Sequence, residues 1–372
     1  MVTVASGSSV QPLPDPLSTR GSDQLSEDAL PLLPTSVIGS HATPAWFIAG
    51  MAEVKRGEFG PVEQEELYAD AVDLAILDQE RAGVDVVTDG EMRRQGFVVS
   101  FYPRFTGLER VPAERRKGPA GYDQMPGYRA VDAIAAPNGL GIVAEYRFAR
   151  PRTRRPFKVT CPGPLTLTLS VRPGPRYKDV YELAAAFVPV VNAELRALVA
   201  AGADFIQIDE PLFGTDPGEP ARLVELLERA VEGVNAKLAL HICFGNMRGR
   251  PLGKRSYAPL FPAFRDVPVD QLVFEYANRE LAELERWPDW GGDRELGAGL
   301  IDVKSWYVET PADVAAGIRA ALKYVPAEKL WIVPDCGFSA SARPITVAKL
   351  QAMVAGARLV RHELAGDPHP QK

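Results

Sequence analysis

Short β-rich runs, most of them followed by an amphipathic stretch of helical period, recur along most of the chain. That alternation limits the fold more than any other feature. The runs are 36–39 (SVIG), 84–88 (VDVVT), 156–160 (PFKVT), 204–208 (DFIQI), 237–243 (KLALHIC), 271–275 (QLVFE), 297–303 (GAGLIDV) and 329–333 (KLWIV). Helical patterns fall at 63–82, 180–201, 219–233, 311–323 and 345–364. Thr310-Pro311-Ala312-Asp313 reads as an N-cap with proline at the first helical position. Strands alternating with helices imply parallel βα units, and eight strand runs imply closure. The expected fold class is therefore α/β, a (β/α)8 TIM barrel. Two segments stand outside that scheme. Residues 1–34, rich in Ser, Pro, Gly and Asp, are expected to form a flexible N-terminal lead to a single domain over 35–372. Residues 92–155, rich in Arg, Pro and Gly, separate the second and third strands and are too long for an ordinary connection. They are expected to be an insertion over the barrel mouth.

The unusual polar residues collect just after the strands. Ser40 and His41 follow the first, Asp89-Gly90-Glu91 the second, Cys161-Pro-Gly-Pro the third and Asp209-Glu210-Pro211 the fourth. His241-Ile242-Cys243 ends the fifth, Glu275 the sixth, Asp302 to Ser305 the seventh, and Asp335-Cys336-Gly337 follows the eighth. In a (β/α)8 barrel these ends converge on one catalytic face. Composition narrows the partners. Of 372 residues, 46% are hydrophobic, enough for one large core, and the net charge of −6 comes with no basic block that would track nucleic acid. No apolar run is expected to reach the ~18 to 20 residues that span a bilayer, so no membrane partner is expected. The first ten residues lack the pattern of a signal peptide. Three cysteines exclude a disulfide framework as the organising device. The expectation is a cytoplasmic protein with reduced thiols, whose oligomeric state is left open, a homo-oligomer included.

Reduced cysteines invite the question of metal. His241 and Cys243 are two apart in a strand and point to one side, where Cys336 and Glu275 also end. Cys, His and carboxylate together suit one tetrahedral zinc ion per chain. The competing reading, cysteines as small buried hydrophobes, explains a lone His-x-Cys but not the full set. Two thiolates and a carboxylate leave one negative charge over on such a centre. It would be a weak Lewis acid toward water but a good carrier of a substrate thiolate. Glu275, the hard ligand among softer ones, is expected to yield when substrate sulfur arrives.

IGS (38–40), DGE (89–91), IQIDEP (206–211), HIC (241–243), Glu275 and PDCG (334–337), in that order over roughly 35–365, resemble the catalytic half of cobalamin-independent methionine synthase. The resemblance implies a TIM barrel with one zinc on His241, Cys243, Glu275 and Cys336. It also implies Ser40, Glu91 and Asp209 around a thiol substrate such as homocysteine. An N-terminal barrel is not seen, and Lys304 stands where the family commonly has a histidine for methyl transfer. The chain thus looks like the short, single-barrel branch that includes epoxyalkane:coenzyme M transferases.

The expected function is zinc-dependent alkylation of a small thiol, with coenzyme M attacking a small epoxide slightly preferred and methyl transfer to homocysteine close behind. A metal-free binding or decarboxylase-like barrel ranks last. The coenzyme M reading needs an anion clamp, for which Arg93, Arg94, Arg248, Arg250 and Arg255 are candidates. Each reads as readily as solvated loop charge. Lys304 is a candidate acid for the emerging alkoxide, or an ion-pair partner of Asp302 or Glu309. Glu91 and Asp209 pull the other way, since they suit an amino-acid thiol.

Overall fold

Eight parallel segments close into a ring. Six are full strands hydrogen-bonded in sequence order, Val159–Pro162, Phe205–Asp209, Lys237–Ile242, Gln271–Glu275, Glu295–Ile301 and Leu330–Pro334. Two single-bridge segments complete it. Thr35 pairs with Ile332 and Ser36 with Val86, while Val87 pairs with Phe157, all in parallel. The circuit therefore runs from the eighth strand through residues 35–36 and 86–87 back to the third. That is the expected (β/α)8 barrel, with strand bounds within a few residues of the sequence reading. The computed structural model describes residues 30–112, 127–246 and 249–366. The chain divides into two units, Met1–Leu30 and Pro31–Lys372, and the whole barrel belongs to the second.

Helices Pro61–Ala82, Val180–Ala200, Pro220–Val231, Pro311–Ala321 and Arg343–Ala365 form where the 3.6-residue pattern puts them. Thr310 caps the fourth, accepting from Asp313 N at 3.1 Å while Asp313 accepts from Thr310 N at 2.8 Å. Val180–Ala200 is, by length and composition, apolar enough to cross a membrane, which corrects the expectation that no such run exists. Here Leu183, Phe187, Val191 and Leu195 are buried within the barrel unit. A helix over Ala45–Arg56 was not foreseen. Of the expected lead, residues 1–29 lie outside the described residues. Residues 31–34 belong to the barrel unit, with Leu33 fully buried and its carbonyl accepting from Arg361.

The stretch read as an insertion also does ordinary barrel work. It holds an antiparallel pair, Thr106–Val111 with Gly127–Ala135, and then helix Ile142–Ala149, which fills the helical layer before the third strand. Glu194, buried in helix Val180–Ala200, accepts from Leu140, Ile142 and Val143 N–H groups and so ties that helix down. Among its described residues only the beginning, Met92 and Arg94 to Phe97 at the mouth, lines the central cavity; residues 113–126 lie outside the described residues.

Along each strand, alternate side chains face the barrel interior. Ile38, Val86, Phe205, Ala239, Val273, Trp331 and Val333 make its apolar filling. The same alternation carries His241 and Glu275 inward one step beyond Ala239 and Val273, and Asp209 two steps beyond Phe205. Cys161, between the inward Thr160 and Pro162, is buried on the outer side, and burial pushes its thiol up. It takes no part in the cavity.

Candidate metal centre

The fifth strand places His241, with Cys243 just past its end; the eighth leads directly into Cys336. Their donor atoms lie within 4.8 Å of one another, and Cys243 Sγ is 3.5 Å from Cys336 Sγ. The hydrogen bond from Cys243, with His241 and Lys304 nearby, pulls the Cys336 thiol down to about 6 despite burial. Hydrogen bonding to Cys336 and burial push Cys243 up.

His241 is held by its other nitrogen. Nδ1 lies 2.9 Å from Asp209 Oδ1, which leaves Nε2 buried and without a hydrogen-bond partner. An orphaned polar atom of this kind costs about 1–3 kcal/mol. Glu275 repeats the pattern. Its Oε2 accepts from Lys304 Nζ at 2.7 Å and Phe244 N at 3.2 Å, while Oε1 is buried and unpartnered. Glu275 is not one of the three residues whose donor atoms cluster within 4.8 Å. Two soft sulfurs, an imidazole lone pair and a carboxylate oxygen without a partner form a donor set that zinc fits.

The backbone around this set is fixed from several sides. Asp335 accepts from the N–H groups of Tyr276, Ala277 and Asn278, at 2.9, 2.9 and 2.7 Å, which locks the turn after Glu275 to the strand end before Cys336. Tyr257 Oη accepts from Glu275 N at 2.7 Å and donates to Ile242 O at 3.0 Å. Gly337 leaves room for the Ser40 hydroxyl, since a Cβ there would sit 2.0 Å from Ser40 Oγ and displace it.

A cavity of about 470 Å³ opens above the three residues and is lined by Ser40, Glu91, Arg94, Asp209 and Leu212 among others. Ser40, Glu91 and Asp209 are therefore at the mouth as the sequence implied. Glu91 sits at φ 56°, a left-handed conformation stabilised by its N–H donating to Asp89. Burial pushes its carboxyl up to about 7, against Arg94 and the Thr160 hydroxyl, with Asp209 and Asp89 adding to the rise. Gly39 makes room for it, since a Cβ would meet Glu91 Oε1 at 2.6 Å.

The cationic candidates fare differently. Arg94 lines the cavity, yet its guanidinium is spent on Glu145, Glu91, Thr160 Oγ1 and Thr160 O, all at 2.9–3.0 Å. Arg93 does not reach the cavity: it grips Glu65 through two bonds of 2.8 and 2.6 Å and lies over Tyr68 and Phe148. The reason is local, since helix Pro61–Ala82 offers it a carboxylate and a ring. Arg255 donates to Asn278, and Arg250 does not line the cavity. Arg248 lies outside the described residues. Lys304 meets neither Asp302 nor Glu309 through its ammonium but Glu275, and it too is absent from the cavity lining. What the sequence reading missed is Thr160, inward on the third strand and bonded to both Arg94 and Glu91. Its spacing from the polar Lys158 was the available signal.

Comparison with known proteins agrees with this geometry. A family model described as "Cobalamin-independent synthase, Catalytic domain" matches residues 33–359. The chain is 38% identical over 336 residues to a methionine synthase of Saccharolobus solfataricus, covering 90% of this chain and 97% of the relative. It is 34% identical over 338 residues to that of Sulfurisphaera tokodaii, covering 91% and 95%. Among solved structures, a B12-independent methionine synthase from a Shewanella species in complex with selenomethionine superposes with TM-score 0.79 at 32% identity, covering 90% of this chain and 99% of that one.

Proposed function

The chain belongs to the cobalamin-independent methionine synthase catalytic-domain family, and on that premise we propose that it methylates the sulfur of homocysteine. At the coarser level it is a methyl- or alkyl-transferring enzyme acting on a small thiol. The observation that carries the finer reading is the charge of the cavity. Two buried carboxylates, Glu91 and Asp209, line it, and among the described residues its one arginine is already bound to two carboxylates and a threonine. That setting favours an ammonium group over a sulfonate. The coenzyme M and epoxide reading, preferred from sequence, therefore ranks below methyl transfer to an amino-acid thiol. The relative that holds selenomethionine, an amino-acid selenoether, supports the same order.

The roles follow from placement. His241, Cys243 and Cys336, with Glu275 as the fourth, would hold a zinc ion, which would supply a metal site that lowers the pKa of an incoming thiol. Asp209 uses Oδ1 for Gln207 and His241, which leaves Oδ2 for a substrate ammonium. Glu91 offers a second carboxylate at the same cavity, and Ser40 a hydroxyl for the substrate carboxylate. Lys304 keeps Glu275 partnered whether or not Oε1 is engaged. In the reaction the thiol loses its proton, sulfur forms a bond to the donor's methyl carbon, and the donor keeps the electron pair of the bond that breaks.

Purified protein is expected to contain about one zinc per chain and to form methionine from homocysteine when offered a panel of N-methyl and S-methyl donors. Hydroxyalkyl thioether from coenzyme M and epoxypropane, with no methionine from any donor, would restore the epoxide reading.

A further inference from the structure

A lysine in the middle of a barrel core needs a reason. Lys158, on the third strand, is fully buried beside Phe205, whose ring centroid is 5.7 Å from its ammonium nitrogen. The neighbouring interior is apolar and would accept a Leu or Met, whereas a buried cation costs free energy unless it is well partnered. Its hydrogen-bond partner is Gln207 Oε1 at 2.5 Å. Gln207, also fully buried, donates through Nε2 to Ile38 O at 2.8 Å and to Asp209 Oδ1 at 2.7 Å. Asp209 Oδ1 in turn lies 2.9 Å from His241 Nδ1.

These contacts have only one consistent direction. A backbone carbonyl and a carboxylate can only accept, so both must face the Gln207 amide NH2. Its carbonyl is then turned to Lys158, whose amine donates in either charge state. Asp209, an acceptor toward Gln207, is an acceptor toward His241 too, so in the neutral ring Nδ1 carries the proton and Nε2 the lone pair. Nε2 is the atom left buried and unpartnered beside the two thiols.

We propose that Lys158 is a positioning residue: through Gln207 and Asp209 it fixes a one-way hydrogen-bond chain up the barrel that presents the His241 Nε2 lone pair to the metal centre. It anchors the carbonyl end of Gln207, so a change three hydrogen bonds away reaches the His241 ring. The inference rests on His241 being a ligand, and its test separates the two claims.

Two variants interrupt the chain differently. Lys158→Met removes the anchor at similar volume. Gln207→Glu keeps an acceptor for Lys158 and, ionised beside that lysine, has no proton to donate to Asp209. Val86→Ala, in the same apolar filling but outside the chain, measures the effect of a merely loosened core. Zinc affinity by chelator competition is expected to weaken about tenfold in both chain variants, as loss of outer partners of a ligand does, and to hold in Val86→Ala. Nitrogen-15 NMR of His241 in zinc-free protein, at a pH where the ring is neutral, is expected to show the Nδ1–H form in the parent and a mixture in the two variants. Unchanged affinity and tautomer in both, alongside a lower Tm, would overturn the proposal. If the parent binds no zinc, or His241→Ala keeps it, the ligand reading fails instead, while the tautomer result still decides the role of Lys158.

Discussion

Lys304 and Glu275 have side chains only 1% and 0% exposed, and taking both out of water is costly even when they meet at 2.7 Å. Burial works against the charge on Lys304, yet Glu275, Cys336 and Cys243 outweigh it and hold its pKa above the ordinary lysine range. In zinc-free protein, Lys304→Met should cost about 3–5 kcal/mol, because it strands the Glu275 carboxylate. The double variant with Glu275→Met should recover much of that loss. If Glu275 is a metal ligand, zinc should shrink the penalty of Lys304→Met, read as Tm with and without zinc; an equal penalty in both states would remove Glu275 from the ligand set. Glu91 yields a second prediction. Its carboxyl is pushed up to about 7, so it ionises as pH rises through that value. Homocysteine KM should fall over that interval relative to Glu91→Gln, whose own profile should lack the step. Parallel profiles for the two proteins would separate Glu91 from the substrate ammonium. At this scale the sequence was most legible in the sulfur and imidazole donors that the fold gathers within 4.8 Å, because residue type alone restricts what Cys and His can do together. It was least legible in the arginines, whose reach depends on which partner lies nearest. Arg93 and Arg94 are neighbours in sequence, yet only one of them faces the cavity.

Between elements, the mouth is held by contacts across the closing seam of the barrel. Asp78, on helix Pro61–Ala82, lies 3.1 Å from His41 Nε2 after the first strand and accepts from Arg343, which opens the final helix, at 2.6 and 2.7 Å. Burial would raise its pKa, but the bonds from His41 and Arg343 win and lower it from 3.8 to about 2. The sign is that of a depressed carboxylate. Its contribution of about 2 kcal/mol is present above the unfolded value and is lost as pH falls toward the folded one. Asp78→Asn should therefore lower stability by roughly that amount at neutral pH and flatten the acid limb of a denaturation profile between pH 4 and 2. An unaltered acid limb would assign that slope to other carboxylates. Helices with a clear apolar stripe and strands rich in branched residues were legible within a few residues. Helix Ile142–Ala149 was not, because it lies in a stretch dense in Arg, Pro and Gly and owes its place to Glu194, distant in sequence.

For the whole molecule, closure of the ring gathers residues from opposite ends of the chain. Two segments joined by single bridges, both expected as strands from their apolar runs, bring Ser40 and Glu91 to the cavity that Cys336 also lines. The alternation of elements was enough to expect a barrel, and the ends of its strands were enough to expect one catalytic face. Substrate choice was not legible, since it turns on which charges remain unpaired once the fold has matched the rest. The most direct measurement is zinc-edge X-ray absorption on the metal-loaded protein, without and with homocysteine. Two sulfur scatterers near 2.3 Å, rising to three with homocysteine but not with coenzyme M, is the expected result. An absorber with no sulfur neighbours, or a count that homocysteine leaves at two, would contradict a metal centre that takes up an amino-acid thiol.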